Sequence, residues 1–242
     1  LSFENLRLLL NIFMHVNYIH SFDLKKSQMK EIQFQLAKNI QIIPYTSMPK
    51  TVCGVDLAYF DNQAVAVIVV MDFATRQTIE TVYHVDHISY DYVPGLLAFR
   101  EIPIFLKAWE KMQSNPDIVF FDGNGILHPN RVGIATHASF FIDKPTIGIA
   151  KTHFIGSYQE LNKAKGSYEN IYDGDEVIGA VLRTQTNVKP VFVSVGNRVT
   201  LQNALDFTMH FIGKESRIPE IIRQADLWTR KLRQAILQDK SV

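Results

Sequence analysis

TVCGVDLAYFDNQAVAVIVVMDFATRQTIETVYHVD, residues 51–86, is the stretch whose reading decides the fold. It divides into three β-rich runs, TVCGVDLAYF, AVAVIVVMDF and QTIETVYHVD, separated by short polar turns around Asp61-Asn62 and Thr75-Arg76. Links this short join antiparallel neighbours, because a parallel pair needs a crossover of about a dozen residues or more. The spacing therefore predicts a three-strand antiparallel meander.

Downstream the rhythm changes. Leu96 to Met112 reads as a helix, DIVFFDG (117–123) as a short apolar strand ending in an acid, 130–142 as a helix, and PTIGIAK (145–151) as another buried strand. Apolar runs bounded by helices indicate strands covered on both faces and paired in parallel. Residues 156–176 are polar and aperiodic and read as a surface loop. VIGAVLRT and PVFVSVG are two further strands, and Thr200 to Phe211 and Pro219 to Leu237 are closing helices. Upstream, residues 27–40 carry Met29, Ile32, Leu36 and Ile40 at helical spacing after a Ser start signal. The expected class is α/β and RNase H-like: a mixed central sheet, an antiparallel three-strand meander followed by parallel strands, flanked by helices. Fold alone does not give function.

The bulk composition narrows the rest. With 242 residues, 47% hydrophobic and 20% charged, the chain suits one domain, read here as 23–242, with 1–22 as an N-terminal extension of unassigned role. A net charge of +1 neither demands nor excludes nucleic acid, since a local basic patch can grip phosphates. The one cysteine, Cys53, lies in an apolar run, which excludes an internal disulfide and points to a core position in a reducing, cytoplasmic setting. No run reaches the roughly 18–20 apolar residues that span a bilayer. LRLLLNIFMHVNYIH looks superficially like a signal peptide, but Asn11, His15 and Asn17 interrupt it and no small-residue cleavage site follows, so none is expected. The chain opens on Leu1, with Met14 and Met29 as rival starts. No membrane and no obligate protein partner are expected.

Two acids stand where the pattern asks for something apolar. Asp56 lies inside VCGVDLAYF, and Asp122 ends VFFDG, at the strand end where α/β sheets place their ligand crevice. An ionised carboxylate in such a run is costly unless paired or bound to metal. On strands that lie side by side the two favour a divalent-metal site, and carboxylates without a His or Cys cluster suit Mg²⁺, with Mn²⁺ able to substitute. That chemistry is phosphodiester cleavage. Glu101, on the predicted helix after Pro94-Gly95, reads on its own as a surface acid. Gly123 and Gly125, in DGNGILHPNRVGIATH, allow a tight loop beside a ligand. His128 follows in that loop and could contact a phosphate or move a proton, while His137 reads as structural. Lys151, at the end of PTIGIAK, shares the sheet edge with Asp122 and would neutralise phosphate charge. Tyr92, on the Tyr-Val-Pro-Gly turn, could act as a wedge in a base stack.

GVDLAY (54–59), YVPGLLAFRE (92–101), FDGNGILHPNRVGIATH (121–137) and PTIGIAK (145–151), in this order, closely resemble the endonuclease V family of deoxyinosine-specific nicking enzymes. The resemblance runs from about residue 23 to 237. It implies that Asp56, Glu101 and Asp122 bind the catalytic metal, and that Asp226, in RQADLW, matches a further acid near it. Tyr92 matches the wedge tyrosine, although Asp91 and Val93 replace the Pro and Ile that usually flank it. His128 and Lys151 match residues close to the scissile phosphate, and Gly95, Leu97, Gly123, Gly125 and Ile134 match the walls of a hypoxanthine pocket. The implied reaction is a nick at the second phosphodiester 3′ to deoxyinosine in DNA, leaving 3′-hydroxyl and 5′-phosphate ends. Rival readings are a ribonuclease for inosine-containing RNA, a non-catalytic lesion binder, and an RNase H-like resolvase or transposase.

Overall fold

The structure, a computed structural model, describes residues 14–239, so much of the expected extension 1–22 and its apolar LRLLL run lie outside the described residues. The meander forms as the short turns require. β1 (Thr51–Phe60), β2 (Gln63–Asp72) and β3 (Thr78–His87) pair antiparallel in sequence order. β4 (Ile118–Asp122) then pairs parallel with β1, and β5 (Thr146–Ala150) parallel with β4. The sheet has eight strands in the order β3-β2-β1-β4-β5-β8-β7-β6, completed by β6 (Tyr168–Asp173), β7 (Glu176–Leu182) and β8 (Val191–Asn197). The helices are α1 (Lys26–Ala37), α2 (Leu97–Trp109), α3 (Ile134–Ile142), α4 (Leu201–His210) and α5 (Glu220–Asp239). The expected mixed sheet flanked by helices is the fold observed.

Two expectations need correction on the far side of the sheet. The polar stretch 156–176 is not all loop: Tyr168–Asp173 is a strand, hairpinned to β7 with Asp173 opposite Glu176. As an edge strand it is half solvated and buries Ile171 alone, so it carries no apolar run to betray it, and the Asp173-Gly174 dipeptide is its one turn signal. β8 runs antiparallel to β5, not parallel. An apolar run reports burial on two faces and is silent on direction.

Alternation along β1 sorts the two faces. Val52 joins a core with Phe120, Ile149, Leu205, Ile221 and Ala225, beneath α4 and α5. Cys53 and Val55 join the opposite core with Ile102, Phe105, Trp109 and Phe141, beneath α2 and α3. Cys53 is fully buried there, as expected, and burial pushes its thiol pKa up. Along α1 the expected apolar stripe is only partly used: Met29 and Gln33 are the buried residues, while Ile32 and Leu36 stay half-buried. The segment before α1 packs on α3, with the Asn17 N–H donating to the Phe141 carbonyl at 2.7 Å and the rings of Phe22 and Phe141 stacked 5.4 Å apart. His137 is buried, 2.8 Å from His20 between the ring nitrogens. Among the described residues no helix is long and apolar enough to cross a membrane.

Candidate metal centre and adjoining cavity

Strand register brings the two misplaced acids together. The final rung between β1 and β4 sets Val55 opposite Phe121, so the next residues on the two parallel strands are Asp56 and Asp122. Both continue the even-numbered side of their strands, where α5 packs. Asp226 arrives from α5. One oxygen from each of Asp56, Asp122 and Asp226 lies within 4.8 Å of the others, the only such acidic group among the described residues. Thr229, one helical turn beyond Asp226, donates its hydroxyl to Asp56 Oδ2 at 2.7 Å. Arg230 pairs with Asp226 at 2.8 Å.

Glu101 departs from the reading of a surface acid, being only 6% exposed on α2, and it stands outside the tight cluster of three carboxylates. Its Oε1 accepts from the Tyr59 hydroxyl, and Asp56 and Asp122 are close enough to repel its charge. Glu101 thus stands behind the cluster, while Asp226, the further acid of the resemblance, stands inside it. Two more residues of the site, Tyr59 and Thr229, are not among those the sequence singles out. Tyr59 lies within the GVDLAY motif, and Thr229 sits at i+3 from Asp226, a spacing that shares a helix face.

The electrostatics call for a cation. Burial, and then the charge of Asp122, pushes the Asp56 pKa up to about 7. Burial likewise pushes Glu101 up to about 8, against the Tyr59 bond that favours its charged form. Lys151 answers part of this demand, with Nζ 2.5 Å from Asp122 and 3.4 Å from Asp226. Burial alone would lower its pKa, but the neighbouring Asp122 and Asp226 hold it above the ordinary lysine value. Oxygen donors without His or Cys fit a hard divalent ion.

A pH dependence follows. Carboxyls raised above their unfolded value of about 4 bind protons more tightly when folded, so stability present at low pH is lost as pH rises through about 7–8. The metal-free protein is therefore expected to melt lower at pH ~8 than at pH ~5.5. Mg²⁺ or Mn²⁺ should reverse this, with a stabilising shift that grows with pH. Differential scanning fluorimetry checks it; a shift of equal size at both pH values would contradict the site.

Beside the acids opens a cavity of about 310 Å³ lined by Tyr92, Gly95, Leu97, Asp122, Gly123, Asn124, His128, Ile134, Lys151 and Phe154, among others. It gathers nearly every residue that the sequence marks for a pocket. Tyr92 is 61% exposed at its rim. Gly125 is the exception. It lies beneath the loop, donating its N–H to Ser194 Oγ at 2.8 Å, and a Cβ there would fall 2.0 Å from the Val195 carbonyl oxygen. Close backbone packing is by itself enough to require the glycine there. His128 lines the cavity but is nearly buried, and its Nδ1 accepts from the Asn130 N–H at 3.1 Å. Burial pushes its pKa down to about 4, so the ring is neutral at physiological pH.

The endonuclease V family profile matches residues 34–227 of this chain. The chain belongs to the endonuclease V family. Endonuclease V of Petrotoga mobilis is 56% identical over 216 residues, covering 89% of this chain and 97% of that protein. The crystal structure of endonuclease V from Bacillus subtilis superposes with a TM-score of 0.89 at 41% identity, covering 93% of this chain and all of that one. Endonuclease V of Ciona intestinalis, solved with a 24mer DNA containing an inosine followed by a ribo-adenosine, gives a TM-score of 0.76 at 26% identity, over 87% of this chain and 98% of that one. As an endonuclease V by family, the chain is a nuclease, and its clustered acids are a site able to hold a metal ion.

Proposed function

We propose that this chain is an inosine-directed DNA repair endonuclease that nicks the second phosphodiester bond 3′ to deoxyinosine, leaving 3′-hydroxyl and 5′-phosphate ends. The observation that carries the reading is adjacency. Asp122, one of the three clustered carboxylates, and Lys151 line a small cavity whose rim carries an exposed tyrosine. A cutting site and a place to hold an extruded base thus share one sheet edge. The DNA-bound Ciona intestinalis relative supports the substrate class.

The roles divide by position. Asp56, Asp122 and Asp226 would hold Mg²⁺, with Mn²⁺ as a substitute, and Glu101 would complete the acidic surround from α2. When bound there, Mg²⁺ supplies Lewis-acid stabilisation of the charge that builds on the phosphate. Lys151 holds its ammonium beside Asp122, where it can neutralise a phosphate oxygen. Tyr92 fills the space left in the stack, and Gly95, Leu97, Gly123 and Ile134 wall the base. His128 would stand near the phosphate, with its Nδ1 held by the Asn130 N–H. We take 23–242 as the catalytic domain and, from the buried free Cys53, the cytoplasm as its setting.

The test is a nicking assay on an end-labelled duplex carrying one deoxyinosine, with Mg²⁺ or with chelator, mapping the cut to the nucleotide. A Mg²⁺-dependent nick one bond beyond the 3′ neighbour is expected. Chelator-resistant cleavage, or tight binding with no cleavage at any metal concentration, would sink the proposal. A matched inosine RNA strand belongs in the same assay, since the relative's ligand carries a ribonucleotide after the inosine. Faster cutting of the RNA would move the assignment to an endoribonuclease with the same chemistry.

A further inference from the structure

Gln33 is fully buried on α1, where a helix-surface amide would ordinarily be solvated. A buried amide is costly unless its groups are bonded. Here all of its bonds go to segments distant in sequence. Nε2 donates to the Gly95 carbonyl at 2.8 Å and lies 3.2 Å from the Val132 carbonyl. Oε1 accepts from Asn130 Nδ2 at 2.8 Å. The Asn130 backbone N–H donates to His128 Nδ1, and the His128 ring packs against Gly95, with Nε2 3.7 Å from where a Gly95 Cβ would lie. Hydrogen bonds from Gly95 through Gln33 and Asn130 to His128, and this contact back to Gly95, make a ring.

That ring spans the cavity's two sides. Gly95 ends the Tyr92 turn, while His128 and Val132 belong to the segment that follows Asp122, and all three line the cavity. Gln33 is not among the lining residues, and Met29, one turn earlier on α1, packs with Leu96 and Phe99 of the Tyr92 side. A side chain that donates to two carbonyls on separate segments holds them at one spacing, because moving either leaves a buried polar group unpaired.

We propose that Gln33 is a positioning residue that sets the width of the base cavity by tying the Tyr92–Gly95 turn to the His128–Val132 segment. This rests on the reading of that cavity as a base pocket. The Gln33 side chain bonds none of Asp56, Asp122, Asp226 or Lys151. Loosening the ring therefore leaves strand affinity in place and lowers the fraction of bound complexes in which the base is seated. The loss appears in kcat and not in KM.

Gln33→Met keeps the volume and removes the donor and the acceptor. With saturating Mg²⁺ on the labelled deoxyinosine duplex, its kcat is expected about tenfold or more below wild type, with KM within about twofold. A 2-aminopurine placed beside the lesion, read in chelator so that the strand is bound and uncut, should show a smaller fluorescence rise than with wild type. Asn130→Ala, at an exposed position, should move both readouts in the same direction by less, and it serves alone should Gln33→Met not fold. Unchanged kcat and fluorescence in the variants overturn the role of Gln33, as does a kcat deficit that vanishes when the assay is cooled below the variant's melting range. Wild-type protein that nicks no inosine strand overturns the pocket reading itself, a result distinct from both.

Discussion

Asp122→Asn is expected to lower metal-dependent nicking by roughly 10²–10³-fold or more, the cost of removing one preorganised charge-stabilising group. The amide keeps the shape of the side chain and cannot carry the charge. Asp122 stands at the centre of the site: it is one of the three clustered carboxylates, it repels the charge of Asp56 and Glu101, and it holds Lys151 Nζ at 2.5 Å. Its loss is expected to weaken metal binding and to leave Lys151 only its longer pairing with Asp226. Asp226→Asn should be milder, because Asp226 is already shared between Arg230 and Lys151 at 2.8 and 3.4 Å. Single-turnover nicking with a Mn²⁺ titration measures both effects. Asp122→Asn activity within about fivefold of wild type would remove Asp122 from the metal site.

Gly54→Ala is expected to destabilise the protein by about 3 kcal/mol or more, the upper range for overpacking, and so to lower the melting temperature by about 6–12 °C. A Cβ at Gly54 would fall 2.1 Å from the carbonyl oxygen of Ile221, a backbone atom on α5 that cannot rotate away. The helix must lift from β1. Since α5 delivers Asp226 and Thr229 to Asp56, activity should fall further than the stability loss explains. Gly213→Ala is the control, because nothing lies within 4 Å of the place its methyl group would take, and the change should be nearly neutral. Thermal melts of the two variants decide it; equal melting temperatures would show that α5 is not seated by this contact.

Asp56 and Asp122 were legible as out of place from local pattern, because an acid inside an apolar strand is anomalous wherever the strand goes. The meander was legible for a similar reason: links of two residues (61–62) and five (73–77) are too short for a parallel crossover and leave only hairpins. Motif resemblance supplied Glu101 and Asp226, of which Asp226 lies in the tight acidic cluster and Glu101 beside it. The edge strand at Tyr168–Asp173 stayed hidden because half-solvated strands need no apolar run. Gln33 looked like any helix-surface glutamine, and Thr229 like any threonine.

Local pattern thus determined which residues are out of place and which strands neighbour one another in sequence. Only the tertiary structure decided which helix face docks, and with it that Thr229 bonds Asp56 across 173 residues of chain and Gln33 bonds Gly95 across 62. The physical reason is that a polar group's worth depends on its burial and its partners, and long-range packing sets both.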